Sequence, residues 1–229
     1  MDLAELPERT QDYLKEMFNY EEKTGVDSPV SLGDLATAMG QKLPTTTEAI
    51  KRLAAQGLVN YERYKGATLT TAGREMAVQM ARKHRLIEAF LVNSLGYSWD
   101  EVHSEADKLE HACSELFIQR IDALLGHPSR DPHGDPIPRS DGSVDRLSRL
   151  VLANAQPGEK IVMEQVNDSD PELLRYLAEH EVLPGTNLIV KSPARAGLIE
   201  VEVEGGRVIT LAELAAREIS VVPQSPISG

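Results

Sequence analysis

"PTTTEAIKRLAAQGLVNYERYKGATLTTAG", residues 44–73, decides how the first third of the chain folds. Pro44, or a threonine beside it, opens a helix whose buried face is Ala49, Ile50, Leu53 and Ala54, and Gly57 ends it. Two β-rich runs follow, LVNYERY and ATLTTAG, joined at Lys65-Gly66, which makes a hairpin. Upstream, Pro7 opens a first helix over residues 7–24 and Gly25 stops it. Ser31 caps a second, SLGDLATAMG, with Asp34 in its first turn. Three helices, the last two short and close, then a hairpin, form the pattern of a winged helix-turn-helix. Its third helix displays Thr45, Thr46, Thr47 and Glu48, then Lys51 and Arg52, with Lys42 just ahead and Lys65 on the hairpin. Hydroxyls and a glutamate suit base edges; lysine and arginine suit phosphates. A capped structural helix is the competing reading of the threonines alone.

Charge supports the first reading. The net charge of −12 argues against a polyanionic partner, but its distribution does not. Residues 40–85 carry nine Lys/Arg against three Glu, a +6 island that leaves −18 elsewhere. With 41% hydrophobic residues among 229, the chain can build two or three small cores. No apolar run approaches membrane-spanning length, and the acidic start carries no signal-like apolar segment. The single cysteine, Cys113, excludes an internal disulfide and fits a reducing cytoplasm.

Beyond the hairpin, residues 74–96 read as a fourth helix, and Trp99 to about Leu125 as a fifth. The apolar faces of these two long helices have little to cover them, which suggests a homodimer, as suits a helix-turn-helix reading paired half-sites. Residues 127–146 are rich in Pro, Gly and Asp and read as a loop into a linker. From Gly158 five short strands (KIVMEQV, TNLIVKS, LIEVEVEG, RVITL, EISVV) and one helix (PELLRYLAEHEV) suggest a small SH3-like barrel. The expected architecture is mainly α, of α+β class: a winged helix-turn-helix over 1–74, a helical domain over 75–140, a linker over 141–156 and the barrel over 157–229.

The chemistry concentrates in "HSEADKLEH", residues 103–111. At about 100° per residue, with His103 at zero, Asp107 falls near 40°, Glu110 near −20° and His111 near 80°. D-x-x-E-H on one face is a plausible divalent-metal site, although a solvated acidic face is the plainer alternative. One helix rarely completes a coordination sphere. Asp12 on the first helix is a candidate partner, and His84 and Glu88 stand i, i+4 on the fourth. His103 can project between the two groups, and Asp131 and His133 of the Pro-rich loop can reach either.

The chain resembles the diphtheria toxin repressor family of metal-dependent transcriptional repressors. The resemblance rests on QDYL at 11–14, GLVNYERYKGATLTTAGR at 57–74, RKHRLIEAFLVNSLGYSWDEVHSEADKLEH at 82–111 and PHGDPIP at 132–138, in order along nearly the whole chain. It implies a metal-loaded homodimer on a pseudo-palindromic double-stranded operator, with two metal sites per subunit and no organic cofactor. Carried over by position, the primary site is Asp12, Asp107, Glu110 and His111, and the ancillary site holds His84, Glu88 and His103. The third domain's ligand aligns with Asp170, while its companion position is Leu173, which cannot ligate. In some manganese members the loop matching Asp131 and His133 serves instead.

Iron-responsive members carry Met and Cys where this chain has Asp12 and Asp107. Carboxylates in place of sulfur make the site harder, which suits Mn(II), with Fe(II) as second choice. Repulsion among the carboxylates is then expected to loosen the site until metal arrives. No nucleophile motif or phosphate-binding glycine loop points to an enzyme. A winged-helix regulator sensing an organic ligand is the remaining alternative.

Overall fold

The computed structural model describes residues 3–224. They divide into two compact units that interleave along the chain. The first holds the chain up to Ile87, Ala106–His127 and Ile137–Asp145; the second holds Glu88–Glu105, Pro128–Pro136 and the chain from Arg146.

In the first unit, α1 (Glu8–Thr24) begins after Pro7 and ends at Gly25. Ser31 caps α2 (Leu32–Ala38) by accepting from the Asp34 amide, and α3 (Leu43–Ala55) starts with Pro44 in its first turn. The hairpin pairs β1 (Val59–Glu62) with β2 (Gly66–Leu69) in antiparallel register. Tyr64, at φ +70°, turns the tip. Gly66 has φ +103°, and a Cβ there would lie 2.3 Å from the Val30 carbonyl oxygen. Glycine therefore lets Val30 bridge to Ala67 as a third strand position under the wing. Leu14, Phe18, Leu35, Ile50, Leu53 and Met80 fill the core of these helices. The fourth helix, α4, spans Thr71–Leu95.

The single fifth helix expected from the sequence is two helices. α5 (Val102–Leu109) ends early, and α6 (Glu115–Leu124) starts afresh with the Ser114 hydroxyl accepting from the Phe117 amide. Ser114-Glu115 is an N-terminal signal that outweighs the continuing apolar pattern. Cys113, just before this cap, is half-buried, and Leu116 and Phe117 are exposed.

The second unit contains a five-stranded antiparallel sheet in the order β6-β5-β4-β3-β7, from β3 (Lys160–Val166), β4 (Asn187–Arg195), β5 (Leu198–Val203), β6 (Arg207–Ala212) and β7 (Ile219–Pro223). Helix α7 (Pro171–Glu179) packs Leu173, Leu174 and Leu177 into it. A short helix absent from the sequence reading, α8 (Glu213–Arg217), buries Ala216. Trp99 enters the same core, its indole N–H donating to the Leu174 carbonyl at 3.1 Å. Leu152 and Ala155 also pack there, so residues read as linker belong to this core.

Candidate metal centres

Two groups of donors meet in the first unit around Glu110. The backbone carries α5's hydrogen bonding to this residue (Glu110 N–H to Ala106 O, 2.9 Å) and buries its side chain. His111 Nε2 lies 2.9 Å from Asp12 Oδ1 and 3.6 Å from Glu110 Oε1. The other nitrogen, Nδ1, faces Gln11 Oε1 at 3.2 Å, while the Gln11 amide donates to the Leu6 carbonyl at 2.8 Å. That second bond fixes Gln11 with its oxygen toward the ring, so Nδ1–H is the donor. The Nε2 lone pair is thereby turned toward the two carboxylates, as second-sphere partners of metal-binding histidines do. Burial raises the Asp12 pKa, against the pull of His111 and Lys15.

Beside this group sits a second, His84, Asp107 and Glu110, which shares Glu110. His84 Nδ1 donates to Glu110 Oε2 at 2.6 Å. Between them lies a residue the sequence reading missed. The Lys15 ammonium donates to Asp107 Oδ1 at 2.9 Å and to the Glu110 oxygens at 2.7 and 2.9 Å, with its side chain almost wholly buried. Burial opposes its charge, but Glu110 and then Asp107 outweigh this and raise the Lys15 pKa. Burial alone would also raise the Glu110 pKa; His84 and Lys15 reverse that and lower it. The expected carboxylate repulsion is thus met by a cation from α1. Lys15 stands one turn beyond Asp12 and Gln11, a position that the sequence alone showed only as one more charged residue on a largely polar helix.

The second unit holds its own donors. His103 Nδ1 lies 2.7 Å from Asp168 Oδ2 and 3.2 Å from Glu88 Oε1. Burial works against its charge, yet Asp168 and Glu88 together push its pKa up to about 11. For Asp168, burial is again the opposing effect, and His103 lowers its carboxyl to about 2. The loop 131–135 brings Asp131 and His133 to the same Glu88. Asp131 Oδ1 accepts from the His133 and Asp135 amides, each at 2.9 Å, and Arg130 pairs with Glu164 at 2.8 Å. Gly134, at φ +96°, has no room for a Cβ, which would stand 2.1 Å from the Glu164 carbonyl oxygen. Only glycine lets the loop lie this close to β3.

His133 is the clearest candidate to face a cation. Its Nε2 lies 2.6 Å from the Trp99 carbonyl oxygen, which can only accept, so Nε2 carries the proton. Its buried Nδ1 then has no hydrogen-bond partner, with Glu88 Oε2 at 3.8 Å and Asp168 Oδ2 at 3.9 Å. A buried bare imidazole nitrogen facing two carboxylates fits a divalent cation. The same carboxylates also favour a proton there: burial opposes charge on His133, but Glu88 leads a set of acids that raises its pKa to about 10.

The placement corrects one expectation. Asp170 is not among these donors: its Oδ1 accepts from the Glu172 and Leu173 amides at 3.0 and 3.2 Å and caps α7. Asp168, two residues earlier, is the carboxylate that groups with Glu88 and His103. His84 stands with Glu88 and His103 as expected, and it also contacts Lys15 and Glu110 within the first unit.

On α3, Thr45, Glu48, Lys51 and Arg52 are exposed, as are Lys42 before it and Lys65 on the wing. Glu48 pairs with Lys51 at 2.8 Å, and Lys65 with Glu62 at 2.8 Å. Thr47 donates to the Leu43 carbonyl at 2.8 Å. Thr46 is not available to DNA: it is fully buried and hydrogen bonds Tyr13 Oη at 3.2 Å. Its spacing with Ala49, Ile50 and Leu53 was already that of a core face.

Comparison with known proteins agrees with this architecture. Family models match in chain order: "Iron dependent repressor, N-terminal DNA binding domain" at residues 5–67, "Iron dependent repressor, metal binding and dimerisation domain" at 70–139, and "FeoA domain" at 150–223. The iron-dependent repressor IdeR of Mycobacterium leprae is 30% identical over 96% of this chain and 99% of its own. The diphtheria toxin repressor of Corynebacterium diphtheriae is 30% identical over 72% of this chain and 75% of its own. Among solved structures, a manganese-dependent transcriptional repressor in complex with manganese is 42% identical, with TM-score 0.88, over 94% of this chain and 100% of that one. ScaR with bound Zn2+ is 32% identical, with TM-score 0.79, over 94% and 99%. The chain belongs to the diphtheria toxin repressor family of metal-dependent transcriptional repressors.

Proposed function

We propose that this repressor responds to Mn(II), through a regulatory centre at Asp12, Glu110 and His111, with Asp107 beside it, and a second centre at Glu88, His103, Asp131, His133 and Asp168. The observation that carries this reading is the donor set. Each group contains only carboxylate oxygens and imidazole nitrogens; Cys113 is in none of them. Such hard donors suit Mn(II), which stands lowest in the affinity order of the divalent first-row metals and needs an oxygen-rich site. The manganese-bound relative at 42% identity supports the same choice. When bound, a divalent cation supplies the positive charge that ties α1 to the end of α5.

The chain's own residues carry the effect onward. Asp12 is followed on α1 by Tyr13, whose hydroxyl bonds Thr46 on α3. The position of α1 is therefore also the position of the helix that presents Thr45, Glu48, Lys51 and Arg52. Metal can favour the DNA-competent arrangement only to the extent that it binds that arrangement more tightly. The exposed Leu116, Phe117 and Leu124 of α6 supply an apolar surface for a homodimer, which places two recognition helices on a pseudo-palindromic operator, with metal-uptake genes as the regulated set.

Titrating the protein with Mn(II) and with Fe(II), with operator retention as readout, tests the metal assignment. Activation by Mn(II) at concentrations where Fe(II) is ineffective is expected. Stronger activation by Fe(II) would transfer the assignment to iron.

A further inference from the structure

We propose that Lys15 is the resident cation of the His84–Asp107–Glu110 group, and that it limits the Glu110 cluster to one divalent ion, held by Asp12, Glu110 and His111. The inference rests on the regulatory centre proposed above. By geometry alone, the cluster offers two adjacent cation positions. Asp12, Glu110 and His111 bring their donor atoms within 4.8 Å of one another, and so do His84, Asp107 and Glu110. Glu110 belongs to both.

The two positions differ in what already stands there. At the second, Lys15 Nζ lies 3.2 Å from His84 Nδ1, 2.9 Å from Asp107 Oδ1 and 2.7 Å from Glu110 Oε1. These are the donors a second metal would use. The ammonium reaches the group on a buried stem from α1, and the ion pair it forms with Glu110 is buried on both sides. A divalent ion at the same point would have to expel that charge and leave it without these partners, which is costly inside a protein. It would also sit beside the first ion, against like-charge repulsion strengthened by burial. Without Lys15, two carboxylates and an imidazole would face one another with no cation, a set that suits a divalent metal. A single residue one turn from Asp12 thus sets the number of ions the cluster takes.

The test counts ions and asks whether they are neighbours. Wild type, Lys15→Met, Lys15→Arg and Asp12→Ala are equilibrated with Mn(II), bound metal is counted per chain, and the EPR spectrum is recorded. Lys15→Met is expected to gain one Mn(II) per chain and to show the spin-coupled signal of two ions sharing the Glu110 carboxylate. Lys15→Arg, which keeps the charge, stays at the wild-type count with no coupled signal. A folded Lys15→Met protein with the wild-type count overturns the proposal. So does a coupled pair in wild type, a result that does not depend on any variant folding. Asp12→Ala reports on the underlying reading separately: it is expected to lose one Mn(II), and an unchanged count there refutes the regulatory centre whatever Lys15 does.

Discussion

Glu110→Gln and Asp107→Asn remove a negative charge from the same lysine, yet the structure gives them different costs. Lys15 is buried; the Glu110 side chain is 1% exposed and that of Asp107 is 48% exposed. Glu110 also accepts from His84 at 2.6 Å. Breaking a buried pair by neutralising one partner leaves an uncompensated buried charge and costs about 3–5 kcal/mol. A half-exposed carboxylate in the same role is screened by water and is worth about 0–1 kcal/mol. In chelator, Glu110→Gln should therefore destabilise the first unit by about 3 kcal/mol or more, and Asp107→Asn by about 1 kcal/mol or less. At roughly 2–4 °C per kcal/mol for a chain of this size, the first should lower the melting midpoint by about 10 °C. Far-UV circular dichroism is the appropriate probe. The only tryptophan, Trp99, lies in the second unit, and its fluorescence should register that unit instead. Equal losses from the two variants would refute the reasoning, because it rests on the deeper burial of Glu110 and its added bond from His84.

Four further outcomes follow from the geometry. Tyr13→Phe deletes the hydroxyl that bonds Thr46, a loss of about 1 kcal/mol, and should weaken Mn(II)-dependent operator binding while leaving Mn(II) binding unchanged; equal loss of both, by calorimetry and operator retention, would place Tyr13 outside the coupling. In the second unit, His103 and His133 have pKa values raised to about 11 and about 10, so both carry protons near neutrality and metal must displace them; Mn(II) affinity there should rise with pH by up to about tenfold per unit per proton released. In chelator the sign reverses: these raised values add stability that is full below about pH 6.5 and lost as the pH climbs towards about 10–11, and a pH-independent midpoint would contradict it. Asp168→Ala should lose one bound Mn(II), whereas Asp170→Ala should keep it and cost about 1 kcal/mol through the lost cap of α7; the opposite pattern in metal counts would return Asp170 to the site.

The winged helix was legible because each boundary carries a local chemical signal: Pro7, Ser31, Pro44, and the glycines at 25, 40 and 57. The D-x-x-E-H donors were legible because helical periodicity places them on one arc. Other features depended on signals that compete. Ser114 reads both as a link in an apolar periodic run and as a cap, and the cap prevails. Asp170 precedes a proline and a glutamate, a helix-start pattern that local sequence favours over ligation. Asp168 carries no such mark; only the fold of loop and strand around His103 reveals it. Lys15 was the least legible. Its role comes from three residues distant in sequence, and no periodicity records a charge that partners supply from other helices.

The most direct measurement is operator retention as a function of Mn(II) for Asp12→Ala beside wild type, with the dimer checked by light scattering. The account predicts that the variant stays dimeric, keeps Mn(II) in the second unit and no longer gains operator affinity when Mn(II) is added. An Asp12→Ala protein with the wild-type Mn(II) response would contradict it, because α1 would then have no part in the regulatory centre.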